Sequence, residues 1–323
     1  MTPGAAPVAR FRADLSALFA VDRDRLLVAV SGGGDSVALL LLAHAVLGEH
    51  CVAATVDHGL RPEAADEAEF VAALCRARGI AHRTLSGALP LRAGGGTNLS
   101  SRARALRYAL LEEERARVGA AAIATAHHAD DQVETLVMRL NRGAGAGGLA
   151  GVRSCNGAVV RPLLGWRRAE LADLVRACGI EAVQDPTNVD DRFDRARLRK
   201  ALADVDWLDP AGWQRSAAAL ADAEDALAFA TDRLWHERCS LSEAAVVIDP
   251  TGVPFELQRR LGIRALGHLQ LGITLRGGEV ARLISALQNG RTGMLGDVMA
   301  TVETAPNAPP RWRFASAPPR RSH

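Results

Sequence analysis

The chain is nearly devoid of lysine. Among its 323 residues only Lys200 carries an ammonium side chain, and arginine supplies the other basic charges. That absence excludes a Walker-type phosphate loop, whose Gly-Lys-Ser/Thr step needs a lysine at the terminal phosphates. Cysteine is sparse as well. Cys51, Cys75, Cys155, Cys178 and Cys239 are scattered, odd in number and never arranged as Cys-x-x-Cys. The pattern argues against a disulfide framework, a zinc ribbon or an iron–sulfur site, and for buried thiols in a reducing cytoplasm. No apolar run approaches bilayer length, the longest being Val37 to Ala43, so no membrane association is expected. Met1 to Arg10 is Ala/Pro-rich without an apolar core, unlike a signal peptide. Charge of one sign is lacking too: the formal net charge is +2, which by itself does not announce nucleic-acid binding. Between Arg139 and Lys200, however, basic side chains outnumber acidic ones. A solvated basic face accounts for such a stretch, and arginine equally suits bidentate phosphate contacts.

What the chain does contain is the hexapeptide Ser31-Gly32-Gly33-Gly34-Asp35-Ser36, directly behind the apolar run Leu26 to Val30 and ahead of a second one from Val37. This order predicts strand, tight loop and helix. Glycines let the backbone turn and expose its N–H groups, and the positive end of a following helix favours an anion. Ser31 and Ser36 add hydroxyl donors, and Asp35 suits a cation that shields phosphate charge. An ordinary strand-to-helix turn explains glycines alone, but not both serines and the aspartate. A dinucleotide fingerprint fails, because the position of its third glycine holds Val37. Asp57, ending the next apolar run, stands where a ribose-binding acid would be expected.

Short apolar runs at Leu26–Val30, Cys51–Val56, Ala81–Leu85 and Ala121–Thr125 alternate with helical patterns at Ser36–Leu47, Ala64–Arg78, Leu99–Val118 and Asp130–Arg142. Such alternation predicts an α/β fold, a doubly wound parallel sheet with ligands at the carboxyl ends of its strands. Three polar clusters fall there: Ser31–Ser36, Asp57-His58-Gly59-Leu60-Arg61, and His127-His128-Ala129-Asp130-Asp131-Gln132 with Glu134. Asp35 and Asp131 are the candidate Mg2+ ligands, since hard oxygen donors suit that ion. Zinc is disfavoured by the missing His-Glu-x-x-His spacing and paired cysteines. One of His127 and His128 is expected to cap a helix or pack. Arg104 and Arg107 share a helical face suited to phosphate or developing negative charge, or else to solvent beside Glu112 to Glu114. Asn98 is the candidate cap of that helix.

Gly143 to Gly148 reads as a flexible connection and candidate lid, and Asp185-Pro186-Thr187-Asn188 as turn chemistry leading into the basic stretch Arg192–Lys200. The expected organisation is a catalytic domain over 1–205, a smaller, mainly helical C-terminal domain over 206–304, and a frayed Pro/Arg-rich tail over 305–323.

The pattern Ser-Gly-Gly-x-Asp-Ser resembles the pyrophosphatase loop of synthetases that cleave ATP between its α and β phosphates. Added to it are Val56 to Arg61, Ala103 to Tyr108, Thr125 to Thr135, Arg139 to Gly143, Arg161-Pro162-Leu163-Leu164, Asp185 to Asn188 and Arg195 to Arg199. Together these resemble the bacterial tRNA(Ile)-lysidine synthetases over residues 25–200. The resemblance implies an adenine-nucleotide α-hydrolase-like fold, ATP and Mg2+ as cofactors, and L-lysine and the CAU-anticodon isoleucine tRNA as partners. ATP would adenylate the 2-carbonyl oxygen of the wobble cytidine, and the lysine amine would displace AMP. By position, Ser31, Gly32, Gly33, Gly34, Asp35 and Ser36 would hold pyrophosphate, and Asp35 and Asp131 the metal. Arg104, Arg107 and His127 would stabilise charge at the reacting centre, and Arg195 and Arg199 would approach ATP or RNA. Two departures stand out: Ala196 replaces the family's usual asparagine, and Ser100 and Ser101 stand where an acid is expected. Thiolation, ammonia-dependent amidation and simple ATP sensing stay open as alternatives, as does the oligomeric state, a homodimer included.

Overall fold

A computed structural model of the chain describes residues 1–57, 59, 63–87, 99–183, 194–203, 205, 208–273, 275, 277–306 and 308–317. His58, Leu60, Arg61, Asn98, Asp185 to Asn188 and Arg192, all singled out above, lie outside the described residues. The chain divides into two units, Met1–Ala221 and Asp222–His323.

The first unit begins with α1 (Ala5–Ser16), β1 (Leu26–Ala29), α2 (Gly34–Leu47), β2 (Cys51–Asp57), α3 (Glu63–Arg78) and β3 (Ala81–Ser86). It continues with α4 (Leu99–Arg117), β4 (Ala122–Ala124), α5 (Ala129–Asn141), the short α6 (Ala146–Leu149), β5 (Cys155–Asn156), β6 (Val159–Val160), α7 (Arg168–Ala177) and α8 (Asp194–Ala203). The sheet order is β3-β2-β1-β4-β6-β5, parallel except for the β5–β6 hairpin at its edge. β1 is central: Leu26 aligns with Cys51 of β2 on one side and Ala122 of β4 on the other. The strand order reverses between β1 and β4, the place where open α/β sheets bind ligands.

Why α2 is helical and buried follows from its composition. It is apolar all round, and a helix without a polar face must be covered on every side. Phe11 and Leu15 of α1, Leu171 and Val175 of α7, and Val28 and Ala53 of the sheet provide that cover. On the opposite face Leu111 of α4 packs on Leu27, Val52 and Ile123. α1 was not anticipated, because its apolar seam is short, Val8, Phe11 and Leu15 in a segment otherwise mostly of alanine and charged residues. Cys51, Cys75 and Cys178 are buried as expected, whereas Cys155 is exposed and Cys239 half-buried. Burial pushes the thiols of Cys51 and Cys75 up to about 12 and about 11, keeping both unreactive.

The helix α9 (Pro210–Arg238) contains the division between the two units, at Ala221/Asp222. The second unit adds β7 (Cys239–Leu241), β8 (Ala245–Ile248), α10 (Phe255–Leu269), α11 (Gly277–Gln288), β9 (Gly293–Leu295), β10 (Val298–Ala305) and β11 (Ala308–Ser316). Its sheet, ordered β7-β8-β11-β10-β9, is antiparallel throughout. Helices hold more residues here than strands do, but the sheet was not foreseen. The expected tail is likewise corrected, since β11 pairs with both β10 and β8. Trp312 and Phe314 alternate with Arg311 and Arg313 and turn inward onto Leu261, Leu266 and Ile284 of the two helices. Pro309 and Pro310 precede the β8 pairing and sit where the β10 register shifts, so their missing N–H groups break no central ladder.

Candidate active site

The loop after β1 is shaped by its own serines. Ser36 Oγ accepts from Ser31 N–H at 3.1 Å, donates to the Gly33 carbonyl at 2.8 Å and lies 3.3 Å from Ser31 Oγ. Ser36 is buried while Ser31 is exposed. The first hydroxyl therefore holds the turn and the second faces outward. Gly32 has φ +90, and its carbonyl accepts from Val183 N–H at 3.1 Å. A side chain there would be strained by that φ and would touch the Glu67 backbone. Gly33 caps α2, leaving the N–H groups of Gly34, Asp35 and Ser36 without intrahelical acceptors. The result is an anion cradle at the sheet's reversal point.

The second wall is the start of α5, where one short motif does two jobs. Asp130 turns away from the loop: its carboxylate accepts from Arg168 N–H at 2.8 Å and pairs with Arg167, tying α5 to α7. Gln132 behaves like a peptide group, accepting from Val152 N–H at 2.6 Å and donating to its carbonyl at 2.9 Å. Arg139 donates to the carbonyls of Gly148 and Gly151. The glycine-rich connection expected to act as a lid is thus partly helical in α6 and pinned to α5.

Asp131, Glu134 and Thr135 lie on another face of α5, at the helical spacings of three and four residues. Glu134 is buried and holds both arginines of α8: Arg195 Nε donates to Oε2 and Arg199 Nε to Oε1, each at 2.7 Å. Arg195 also reaches Asp131 Oδ1 at 3.4 Å. The two arginines are therefore beside the site, braced by an acid that the sequence reading left without a role. Ala196 between them is buried.

His127 and His128 diverge. His127 Nδ1 lies 3.0 Å from Thr125 Oγ1. Burial pushes its pKa down to about 4, with the charges of Arg161, Arg104 and Arg195 acting the same way against Asp131. It is neutral near pH 7. His128 is fully buried and caps α5: its Nδ1 accepts from Asp131 N–H at 3.3 Å, and its own N–H donates to Asp131 Oδ2 at 3.2 Å. Its Nε2 stands 3.4 Å from Asp35 Oδ2 and 3.5 Å from Asp131 Oδ2, yet is aligned for no hydrogen bond. Burial works to lower this pKa, but Asp35 and Asp131 outweigh it and raise it. Arg168 adds a cation 3.9 Å from Asp35; no sequence signal pointed to it, because α7 delivers it from far along the chain.

Asp57 ends β2, and its carboxylate accepts from Gly59 N–H at 2.8 Å. Arg104 lies over the Tyr108 ring at 5.1 Å and within electrostatic reach of His127. Arg107 is exposed on the same helix. The acids offered as their solvent partners are engaged elsewhere, Glu112 with Arg115 and Glu114 with Arg117 and Arg83. As for a metal, the carboxylates of Asp35 and Asp131 converge on one buried, unpartnered nitrogen. Two such acids are the set that magnesium uses together with substrate phosphates, so the residues fit that ion. Among the described residues no group of three or more His, Cys, Asp or Glu gathers as a closed metal site. None of the described helices is long and apolar enough to cross a membrane.

A Gly-rich cradle after the first strand of a parallel sheet, with acids from the fourth strand's loop, defines the class of ATP-using PP-loop proteins. The PP-loop domain model matches residues 7–205. The tRNA(Ile)-lysidine synthase of Novosphingobium aromaticivorans is 44% identical over 320 residues, covering 97% of this chain and 94% of that protein. That of Zymomonas mobilis is 38% identical over 305 residues, covering 92% and 90%. Among solved structures, a U34-tRNA thiolase from Methanococcus maripaludis superposes with a TM-score of 0.53 at 16% identity, over 66% of this chain and 78% of that one, a likeness of fold alone. The chain belongs to the tRNA(Ile)-lysidine synthase family, ATP-dependent ligases of the PP-loop class.

Proposed function

We propose that the protein joins L-lysine to the 2-position of the wobble cytidine in the CAU-anticodon isoleucine tRNA, working in the cytoplasm and releasing AMP and pyrophosphate. The observation that carries this reading is similarity along almost the whole chain to the Novosphingobium synthase. The N–H groups of Gly34, Asp35 and Ser36, which lack intrahelical acceptors, bind the phosphates together with the Ser31 hydroxyl, and Ser36 keeps the loop in shape. Gly32 and Gly33 permit the turn, and Asp57, at the end of β2, contributes to nucleotide binding. Asp35 and Asp131 would hold Mg2+, which when bound offsets phosphate charge as pyrophosphate leaves.

Arg104 and Arg107 face the negative charge that develops as the cytidine oxygen attacks the α-phosphate. His127, being neutral, contributes a hydrogen bond and no charge. Arg195 and Arg199, held by Glu134, approach ATP or the RNA backbone. The test supplies purified protein with Mg2+, ATP, radiolabelled lysine and a transcript of that tRNA. Lysine incorporation that is lost when the wobble cytidine becomes uridine is expected. AMP release without incorporation would overturn the choice of acceptor.

A further inference from the structure

Outside the roles above, one polar atom is conspicuous: Nε2 of His128, fully buried, bonded to nothing, and placed between two carboxylates. We infer that His128 is a positioning residue, which gathers Asp35 from α2 and Asp131 from α5 at one point through a single ring proton carried on Nε2. This rests on the reading of Asp35 and Asp131 as cation ligands. The proton is assigned from the partner of the other nitrogen. Nδ1 accepts from Asp131 N–H at 3.3 Å, so it is bare, and the ring hydrogen is placed on Nε2. Asp130 Oδ2 lies further from Nδ1, at 3.6 Å, and already accepts from Arg168 N–H at 2.8 Å.

The ring thus links two helices from different crossovers. Cap geometry at α5 fixes its plane, and leaves Nε2 between Asp35 Oδ2, 3.4 Å away, and Asp131 Oδ2, 3.5 Å away, in line with neither. Neither carboxylate is otherwise tied to the other. Asp35 sits in the first turn of α2, Asp131 in the first turn of α5, and two acids so close repel. A fixed donor between them offsets that repulsion without closing the site, as an arginine there would. The buried nitrogen is left with long, shared contacts because it serves two acceptors at once. Its role is that of a supporting partner which orients ligands instead of touching substrate.

The variants separate this role from capping. His128→Asn keeps a good cap for the Asp131 N–H and removes the Nε2 arm; His128→Gln places an amide nitrogen near the Nε2 position. Manganese(II) is titrated into each protein with a non-hydrolysable ATP analogue, and bound metal is read by electron paramagnetic resonance. His128→Asn is expected to bind manganese at least ~10-fold more weakly, with His128→Gln recovering most of the loss. Wild-type affinity in His128→Asn would overturn the proposal and leave only a cap. If either variant does not fold, 15N-histidine NMR of the wild-type protein decides: a proton on Nε2 whose signal moves on adding the metal and analogue supports the bridge, and a proton on Nδ1 overturns it. A wild-type protein that binds no manganese overturns the cation reading and the proposal together. Failure of lysine incorporation with these results intact strikes only the substrate assignment.

Discussion

The two units treat buried polarity in opposite ways. In the first, Ser36, Thr125, His128, Gln132, Glu134 and Arg161 are all buried around the loop and α5, and the unpartnered buried nitrogens of His128 and Arg161 lie there. In the second, Thr231 and Gln258 are the buried polar residues among those described, and each is hydrogen-bonded. Its charges pair at the surface or partly buried, Arg260 with Glu224 and Glu256, Arg264 with Asp232. Burying polar groups without full satisfaction costs stability, so a fold accumulates them where a ligand completes the set. The contrast separates a unit built around chemistry from one built around a core.

The sharpest break in that contrast is a core deletion. Phe314→Ala, at a fully buried side chain of the second sheet, should cost about 3–5 kcal/mol in urea denaturation of the full chain. At a permissive temperature the variant should still release AMP. Conversely, Asp35→Ala should lower AMP formation by about 10²–10³-fold while the denaturation midpoint stays put, because the side chain is part-exposed. A large loss of stability there would show that the acid pair is structural.

Glu134→Gln is expected to blur the division, since one residue serves both ends. It leaves Arg195 and Arg199 against a neutral amide, and should cost about 1–3 kcal/mol, less than a fully buried pair because both arginines are partly solvated. Its Michaelis constant for ATP or tRNA should rise as the arginines lose their brace, which steady-state kinetics would register.

A pH experiment sharpens the contrast further. His127 has a folded pKa of about 4, below its ordinary 6.5. The unfolded chain binds the proton first, so this group's contribution is complete above pH 6.5 and is lost as pH falls towards 4. Between pH 7 and 5 the wild type should lose stability, on the order of 2 kcal/mol, and His127→Gln should lose less. Equal losses would mean the acid sensitivity lies elsewhere. The smallest effect belongs to Arg264→Ala on the second unit, whose partly exposed pair with Asp232 and stacking on Trp235 should be worth under ~1 kcal/mol, with AMP formation unchanged.

Much of this was legible in the residues. The strands from Leu26, Cys51, Ala81 and Ala122 and the helices between them follow from apolar runs and period, and β11 was obscured because Pro309, Pro310 and four nearby arginines disguise Trp312 and Phe314 as tail composition. Ser31, Asp35, His127 and Asp131 stood out as candidates from residue type and spacing. Glu134 as the clamp on α8, Gln132 as a peptide mimic and Arg168 beside Asp35 were not. Each acts through a partner separated from it by tens to more than a hundred residues of chain, and spacing carries no record of such a partner.

By itself the sequence determined the local events: a glycine loop behind a buried strand, acids and histidines at the start of a helix, arginine where lysine is absent. These depend on neighbours along the chain, through backbone freedom, capping and period. Only the tertiary structure decided which histidine is held neutral by burial and which stands between two carboxylates. Protonation and alignment depend on burial and on charges delivered from other elements, and those exist only once the sheet has brought α2, α5 and α7 to one edge.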